Sequence, residues 1–208
     1  MNGKQSIPQS RGDIRMTGGR EGCLFVVSAP SGAGKTTLCR EVLKRLPDLK
    51  YSISYTTRTP RKGEEHGRDY FFISPDEFQR RIESDQWAEW AEVHGNYYGT
   101  SALFLEQRLA RGNDILLDID VQGAQQIMRR YPGCITIFIM PPSPEILARR
   151  LAGRGTDSKE VIEKRLRNSR EEMARKDLYH YIVINDHLPE AIEELTDIIR
   201  RHGNRGGE

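Results

Sequence analysis

The stretch of this chain best suited to chemistry is Ala29-Pro30-Ser31-Gly32-Ala33-Gly34-Lys35-Thr36. It follows the apolar run Cys23-Leu24-Phe25-Val26-Val27 and leads into Leu38, Val42, Leu43 and Leu46 at helical spacing, so it reads as a turn between a buried strand and a helix. Such a glycine-rich turn aims several backbone N–H groups at one point, where the helix dipole also favours negative charge. The expected ligand is the phosphate chain of a nucleotide, cradled by the loop through Thr37. Lys35 would reach its β and γ phosphates, and the Thr36 hydroxyl would meet Mg²⁺. Ala29 stands where the motif G-x-x-x-x-G-K-[ST] begins with glycine, a small substitution. A purely structural glycine turn is the competing reading, and the strand before and helix after Gly-Lys-Thr weigh against it.

Further along, Asp118 closes the apolar run Ile115-Leu116-Leu117. That position suits a carboxylate that orients Mg²⁺ or its waters, and equally suits a cap for the helix that follows. Arg58 and Arg61, three apart in a threonine-rich turn with Pro60, can grip a dianionic phosphate with forked donors; surface ion pairing is the alternative. The five histidines show no metal-ligand spacing, and no Ser/His/Asp arrangement emerges. Phosphoryl transfer needs neither, because positioning and electrostatic stabilisation carry most of its catalysis.

The elements that must position these groups follow from hydrophobic pattern. Buried strands are expected at 23–28, 114–119, 134–140 and 181–185, separated by helical patterns, which implies a parallel α/β sheet with helices on its faces. Asp118 and Asp120 then fall near the carboxyl edge, where open α/β sheets bind ligands. Ser74-Pro75 with Glu77, and Ser143-Pro144, mark helix starts, while Gly112 and Gly153 mark helix ends. Residues 51–100 break the α/β rhythm and read as an insertion carrying the second substrate. Gly153-Arg154-Gly155-Thr156-Asp157-Ser158, before a strongly charged helix, is where a lid is expected, over about 153–170.

Composition narrows the class. The chain has 208 residues and a formal charge of +2, which residues 1–21 supply through four basic and two acidic side chains. The balanced remainder argues against a broad nucleic-acid-binding face. No apolar run approaches the ~18 residues of a membrane span, and the first segment lacks the apolar region of a signal peptide. Cys23, Cys39 and Cys134 have no C-x-x-C spacing and are expected to be reduced packing residues in a cytoplasmic protein. Residues 1–21 and 202–208 are expected to be mobile tails, and Met16 is an alternative start.

The glycine loop, Thr56-Thr57-Arg58-Thr59-Pro60-Arg61, Gly95-Asn96-Tyr97-Tyr98-Gly99-Thr100, Leu117-Asp118-Ile119-Asp120-Val121-Gln122-Gly123 and Gly153-Arg154-Gly155 together resemble guanylate kinase over about residues 22–201. The resemblance implies a P-loop α/β core that transfers the ATP γ-phosphoryl group to GMP, and to dGMP, giving the diphosphate, with a role in purine nucleotide metabolism and GMP recycling. It implies Mg²⁺ at Thr36 and Asp118. At the GMP phosphate it places Arg58, Arg61, Tyr70 and Tyr98, with Gly99 beside them. At the guanine it places Ser54, Glu89, Thr100 and Asp120, a carboxylate facing N1–H and the exocyclic amine and a hydroxyl facing O6. From spacing alone, Glu89 beside Trp87 and Trp90 reads as a surface residue. Arg150, Arg154 and Arg165 match the arginines that close over the transferring phosphoryl group, and Asn185 would contact the adenine side of ATP.

Two other readings stay open on sequence. A related kinase acting on another phosphorylated acceptor would turn over without GMP preference. A non-catalytic interaction module of the same fold would bind a peptide where GMP would sit; intact Lys35, Thr36 and Asp118 argue against it. ATP and GMP are the expected partners, without nucleic acid or membrane, and the oligomeric state, a homo-oligomer included, is open.

Overall fold

The computed structural model describes residues 21–93, 95–153 and 159–203. Residues 1–20, 94, 154–158 and 204–208 lie outside the described residues, and with them Arg154 and most of both segments expected as tails. In chain order the elements are β1 (Leu24–Ser28), α1 (Lys35–Arg45), β2 (Lys50–Tyr51), β3 (Tyr55–Thr56), β4 (Phe71–Phe72), α2 (Pro75–Glu83), β5 (Trp87–Val93) and β6 (Asn96–Ser101). They continue with α3 (Ala102–Ala110), β7 (Ile115–Asp118), α4 (Val121–Arg130), β8 (Ile135–Met140), α5 (Pro144–Ala152), α6 (Lys159–Met173), β9 (Tyr181–Ile184) and α7 (Leu188–His202).

The central sheet runs β2-β7-β1-β8-β9, with every neighbouring pair parallel. Its strands are continuous apolar runs because helices cover both faces. Phe25 and Val27 join Leu38, Val42, Leu195 and Ile199 on one face, where α1 and α7 pack. Leu24 and Val26 point the other way, into a second cluster with Leu105, Ala124 and Ile127 from α3 and α4. The four expected strands are all present, within a residue at each end. β2 adds a fifth that the sequence did not suggest: two residues, Lys50 and Tyr51, carry no alternation, and their place comes from pairing with Ile115 and Leu116.

Residues from Tyr55 to Ser101 form a second sheet, β4-β3-β6-β5, with α2 beside it. Ser74 caps α2 by accepting from the Glu77 N–H at 3.1 Å, with Pro75 in the first turn, and Ser143 caps α5 in the same way through Ile146. Gly112 has φ 77° just past α3, the left-handed conformation that ends helices. Gly153 ends α5 with ordinary helical φ.

β1 lies between β7 and β8, so the chain runs to opposite sides of it. This is the switch point at which an open parallel sheet leaves a crevice at its carboxyl edge. The central strands are predicted to hold that edge together: Leu116→Ala, at a fully buried position in β7, should cost about 2–5 kcal/mol in urea unfolding. A loss under 1 kcal/mol would mean that the sheet tolerates a void there.

Candidate active site

The glycine loop leaves β1 and re-enters helix at Lys35. Gly32 and Gly34 have φ of 91° and 93°, where other residues are strained, and Gly34 serves as the N-cap of α1 without a side-chain cap. The first-turn N–H groups of α1 are thereby left facing the crevice. Lys35 extends across the carboxyl edge: its ammonium pairs with Asp118 Oδ1 and donates to the Ile119 carbonyl at 2.9 Å. Burial opposes that charge, but the Asp118 carboxylate outweighs it and leaves the Lys35 pKa above its ordinary value. Asp118 therefore does not cap α4. Asp120 does, its Oδ1 accepting from the Gly123 N–H at 2.8 Å.

One cavity of about 940 Å³ opens in front of this pair. Ser31, Lys35, Thr36, Asp118 and Asp120 line its core side. Ser54, Arg58, Arg61, Tyr70, Glu89 and Tyr98 line the side made by the second sheet and its loops. Ala29, Pro30, Gly32, Ala33, Gly34 and Thr37 complete the loop or the turn after it and are not among the lining residues. Gly99 lies in β6 under Phe78 and Trp87, where a Cβ would meet Phe78 at 2.9 Å. Neither Arg150 nor Arg165 lines the cavity. Arg150 donates to the Asn185 carbonyl at 2.9 Å, and Asn185 reaches under the loop to donate to the Ala33 carbonyl at 2.7 Å.

Arg58 is held from several sides. Its Nη2 meets both oxygens of Glu64 at 2.8 and 2.9 Å, its Nε donates to the Tyr98 hydroxyl at 3.2 Å, and its Nη1 donates to the Thr59 carbonyl. The guanidinium carbon also lies 5.5 Å from the centre of the Tyr70 ring. Hydrogen bonding to Glu64 raises the Arg58 pKa, and the same bonds hold the Glu64 carboxyl below its usual range. Glu64 further accepts from the Arg61 N–H at 2.7 Å, so one carboxylate orders both arginine positions of the turn. Sequence reasoning missed it; its signal was an acid three residues after Arg61 and next to Gly63, a residue with φ of 88°.

Glu89 is not a surface residue: it is 5% exposed. A register shift between Trp87 and Glu89 in β5 sets Glu89 opposite Thr100, as bulges re-aim side chains near functional sites. The Thr100 hydroxyl donates to Glu89 Oε1 at 2.6 Å, so it is turned to the carboxylate. Glu89 Oε2 lies against Gly123, where a Cβ would come within 2.5 Å. Gln126 fixes the next residue, accepting from the Trp90 N–H at 3.1 Å and donating to the Trp90 carbonyl at 2.7 Å. Helix α4 thus carries the Asp120 cap, the space for Glu89 and the clamp on its strand. Burial, against the lowering effect of the Thr100 hydrogen bond, pushes the Glu89 pKa up to about 7.

Thr36 and Asp118 offer hard oxygen ligands beside Lys35, the donor set Mg²⁺ takes when phosphates and waters complete its shell. Among the described residues no group of three or more His, Cys, Asp or Glu side chains could hold a metal. Cys39 and Cys134 are buried thiols outside any disulfide, and no described helix is long and apolar enough to cross a membrane.

A parallel sheet with a glycine loop at its switch point, a lysine aimed along its edge and an arginine-bearing second sheet across one cavity defines a nucleotide-binding phosphotransferase. The family model for guanylate kinase matches residues 21–202. Guanylate kinase of Geobacter sulfurreducens is 57% identical over 180 residues, 86% of this chain and 89% of that protein. Guanylate kinase of Dechloromonas aromatica is 51% identical over 182 residues, 88% and 90% of the two chains. The crystal structure of guanylate kinase from Anaplasma phagocytophilum superposes with a TM-score of 0.74 at 32% identity, over 90% of this chain and 89% of that one. This chain belongs to the guanylate kinase family, and is an ATP:GMP phosphotransferase.

The buried Glu89 gives this site a pH signature. Between the usual 4.5 and about 7, folded Glu89 holds a proton that the unfolded chain has released, so this group's stability contribution is lost as pH rises through that window. Glu89→Gln should remove that loss, with a gain over the parent of up to about 3 kcal/mol at pH 8 and little difference at pH 4. Thermal unfolding across pH 4–8 checks it; parallel curves for both proteins would contradict the assignment.

Proposed function

We propose that the two sides of the cavity divide the reaction between them, with ATP on the glycine loop and GMP between the second sheet and α4. The observation that carries this reading is the single continuous cavity lined both by Lys35 and Thr36 and by Arg58, Tyr98 and Glu89. The phosphate chain of ATP is cradled by the Ala29–Thr37 loop, and Lys35 exchanges part of its contact with Asp118 for the β and γ phosphates. Thr36 and Asp118 hold Mg²⁺, which supplies charge neutralisation between the phosphates when bound.

Arg58 and Arg61 bind the GMP phosphate, with Tyr70 and Tyr98 adding phenolic donors. Glu64 holds the Arg58 guanidinium in place before the phosphate arrives and then yields its donors to the phosphate, so less side-chain entropy is lost on binding. Glu89 accepts from guanine N1–H and the exocyclic amine, steered by Thr100 and backed by Asp120, while Ser54 lines the same half of the cavity and Gly99 lets β6 pack closely against Phe78 and Trp87. Adenine presents an acceptor at N1, which would face the carboxylate and leave buried groups unpaired. Because the reading groups address base and phosphate, dGMP is an acceptor too, which fits a role in purine nucleotide recycling. Arg150, Arg154 and Arg165 supply positive charge to the transferring phosphoryl group when the segment around 153–170 closes over it and excludes water.

ADP release with Mg·ATP tests this against GMP, dGMP, AMP, CMP and UMP. GMP and dGMP should exceed the others by a factor of roughly 10² or more. Arg58→Ala should raise KM for GMP with little change in KM for ATP, whereas Lys35→Ala should depress kcat by orders of magnitude in a folded protein. Equal turnover with AMP would remove the guanine-reading role of Glu89, and a fully active Lys35→Ala protein would remove the lysine from the chemistry.

A further inference from the structure

Asn185, the first residue after β9, makes three long-range hydrogen bonds that tie it to the end of β8, to α5 and to the glycine loop. Its N–H donates to the Met140 carbonyl at 2.8 Å, its carbonyl accepts from Arg150 Nη2 at 2.9 Å, and its side-chain Nδ2 donates to the Ala33 carbonyl at 2.7 Å. It is 5% exposed. A Cβ on Gly34 would stand 2.3 Å from Asn185 Nδ2, so Gly34 is needed for the approach of this amide as well as for its φ of 93°. The contact joins residues 152 positions apart, directly beneath the turn that precedes Lys35.

A trans peptide is planar, and its C=O and N–H point in opposite directions. Drawing the Ala33 carbonyl inward onto Asn185 therefore turns the Gly34 N–H outward, to the side on which a phosphate would sit. The same residue holds Arg150 through its own carbonyl. We propose that Asn185 is a positioning residue of the donor site, acting on the triphosphate through the Ala33–Gly34 peptide, and not through contact with the adenine base. This rests on the glycine loop being the ATP phosphate site.

Asn185→Asp keeps the shape but replaces the donor by a carboxylate oxygen that repels the Ala33 carbonyl; Asn185→Ala removes the contact. Kd is measured for Mg·ATP and for Mg·tripolyphosphate, which has no base, together with KM for ATP and GMP, kcat, and the ATP-to-GTP donor ratio. In Asn185→Asp, both ATP and tripolyphosphate should bind roughly 10- to 100-fold more weakly, with kcat lowered, KM for GMP within about twofold and the donor ratio unchanged. Asn185→Ala should show the same pattern at smaller size. Unchanged tripolyphosphate binding, or a loss confined to ATP that alters the donor ratio, would overturn the proposal in favour of a base contact. If the parent protein itself bound neither ligand, the donor-site reading would fail instead.

Should both variants fail to fold, NMR of the parent decides. The Asn185 side-chain NH₂ should carry a slowly exchanging proton, and the Gly34 N–H should shift when tripolyphosphate is added. A freely exchanging Asn185 amide, or a Gly34 N–H indifferent to tripolyphosphate, would overturn it.

Discussion

The ion pair between Lys35 and Asp118 ties the glycine loop to the strand that leads into α4. Lys35 begins α1, and Asp118 ends β7 two residues before Asp120 starts α4. Since β7 is the direct neighbour of β1, the pair joins the end of β7 to the start of the helix that follows β1. Both partners are largely withdrawn from water, and a charge so placed is costly unless matched. The rest of the arrangement follows: glycines where the loop must turn, an apolar sheet beneath, and a helix on each side whose N-terminus faces the same crevice. An attraction of this kind can be redistributed to phosphates and a cation without moving the backbone that holds it.

Helix α4 is the second organising element. Its first turn is capped by Asp120, its third residue is a glycine that makes room for Glu89, and its sixth grips the backbone of Trp90. The carboxylate assigned to guanine is thus placed by an element of the core, although it resides on a strand of the second sheet. Its raised pKa is the electrostatic consequence of that depth. A ligand offering two N–H groups would compensate the buried charge that the protein by itself only partly satisfies through Thr100.

Much of this was legible in the sequence because local rules coincide with tertiary ones there. Leu24–Val27 and Ile115–Leu117 are apolar on both faces, and Ser74, Pro75 and Glu77 spell a helix start whatever surrounds them. The glycine loop announces itself through chain conformation. Glu89 was ambiguous for the opposite reason: β5 reads Trp-Ala-Glu-Trp-Ala-Glu-Val, and the pattern does not reveal which glutamate turns inward, because a bulge decides it. Glu64, Gln126 and Asn185 were missed or only loosely placed since their partners are set by tertiary folding; the Asn185–Ala33 contact has no local trace at all. β2 is too short to carry a pattern and exists through its neighbour.

The central claim is that donor and acceptor phosphates meet within one cavity in front of Lys35. Titration calorimetry with a bisubstrate analogue, adenosine and guanosine joined through a polyphosphate long enough to span both halves, addresses it most directly. Joining the two ligands should make binding tighter than ATP or GMP alone by a factor of roughly 10² or more, with a stoichiometry of one per chain. Affinity no better than that of the stronger single nucleotide, or simultaneous binding of free GMP alongside the analogue, would contradict a shared cavity.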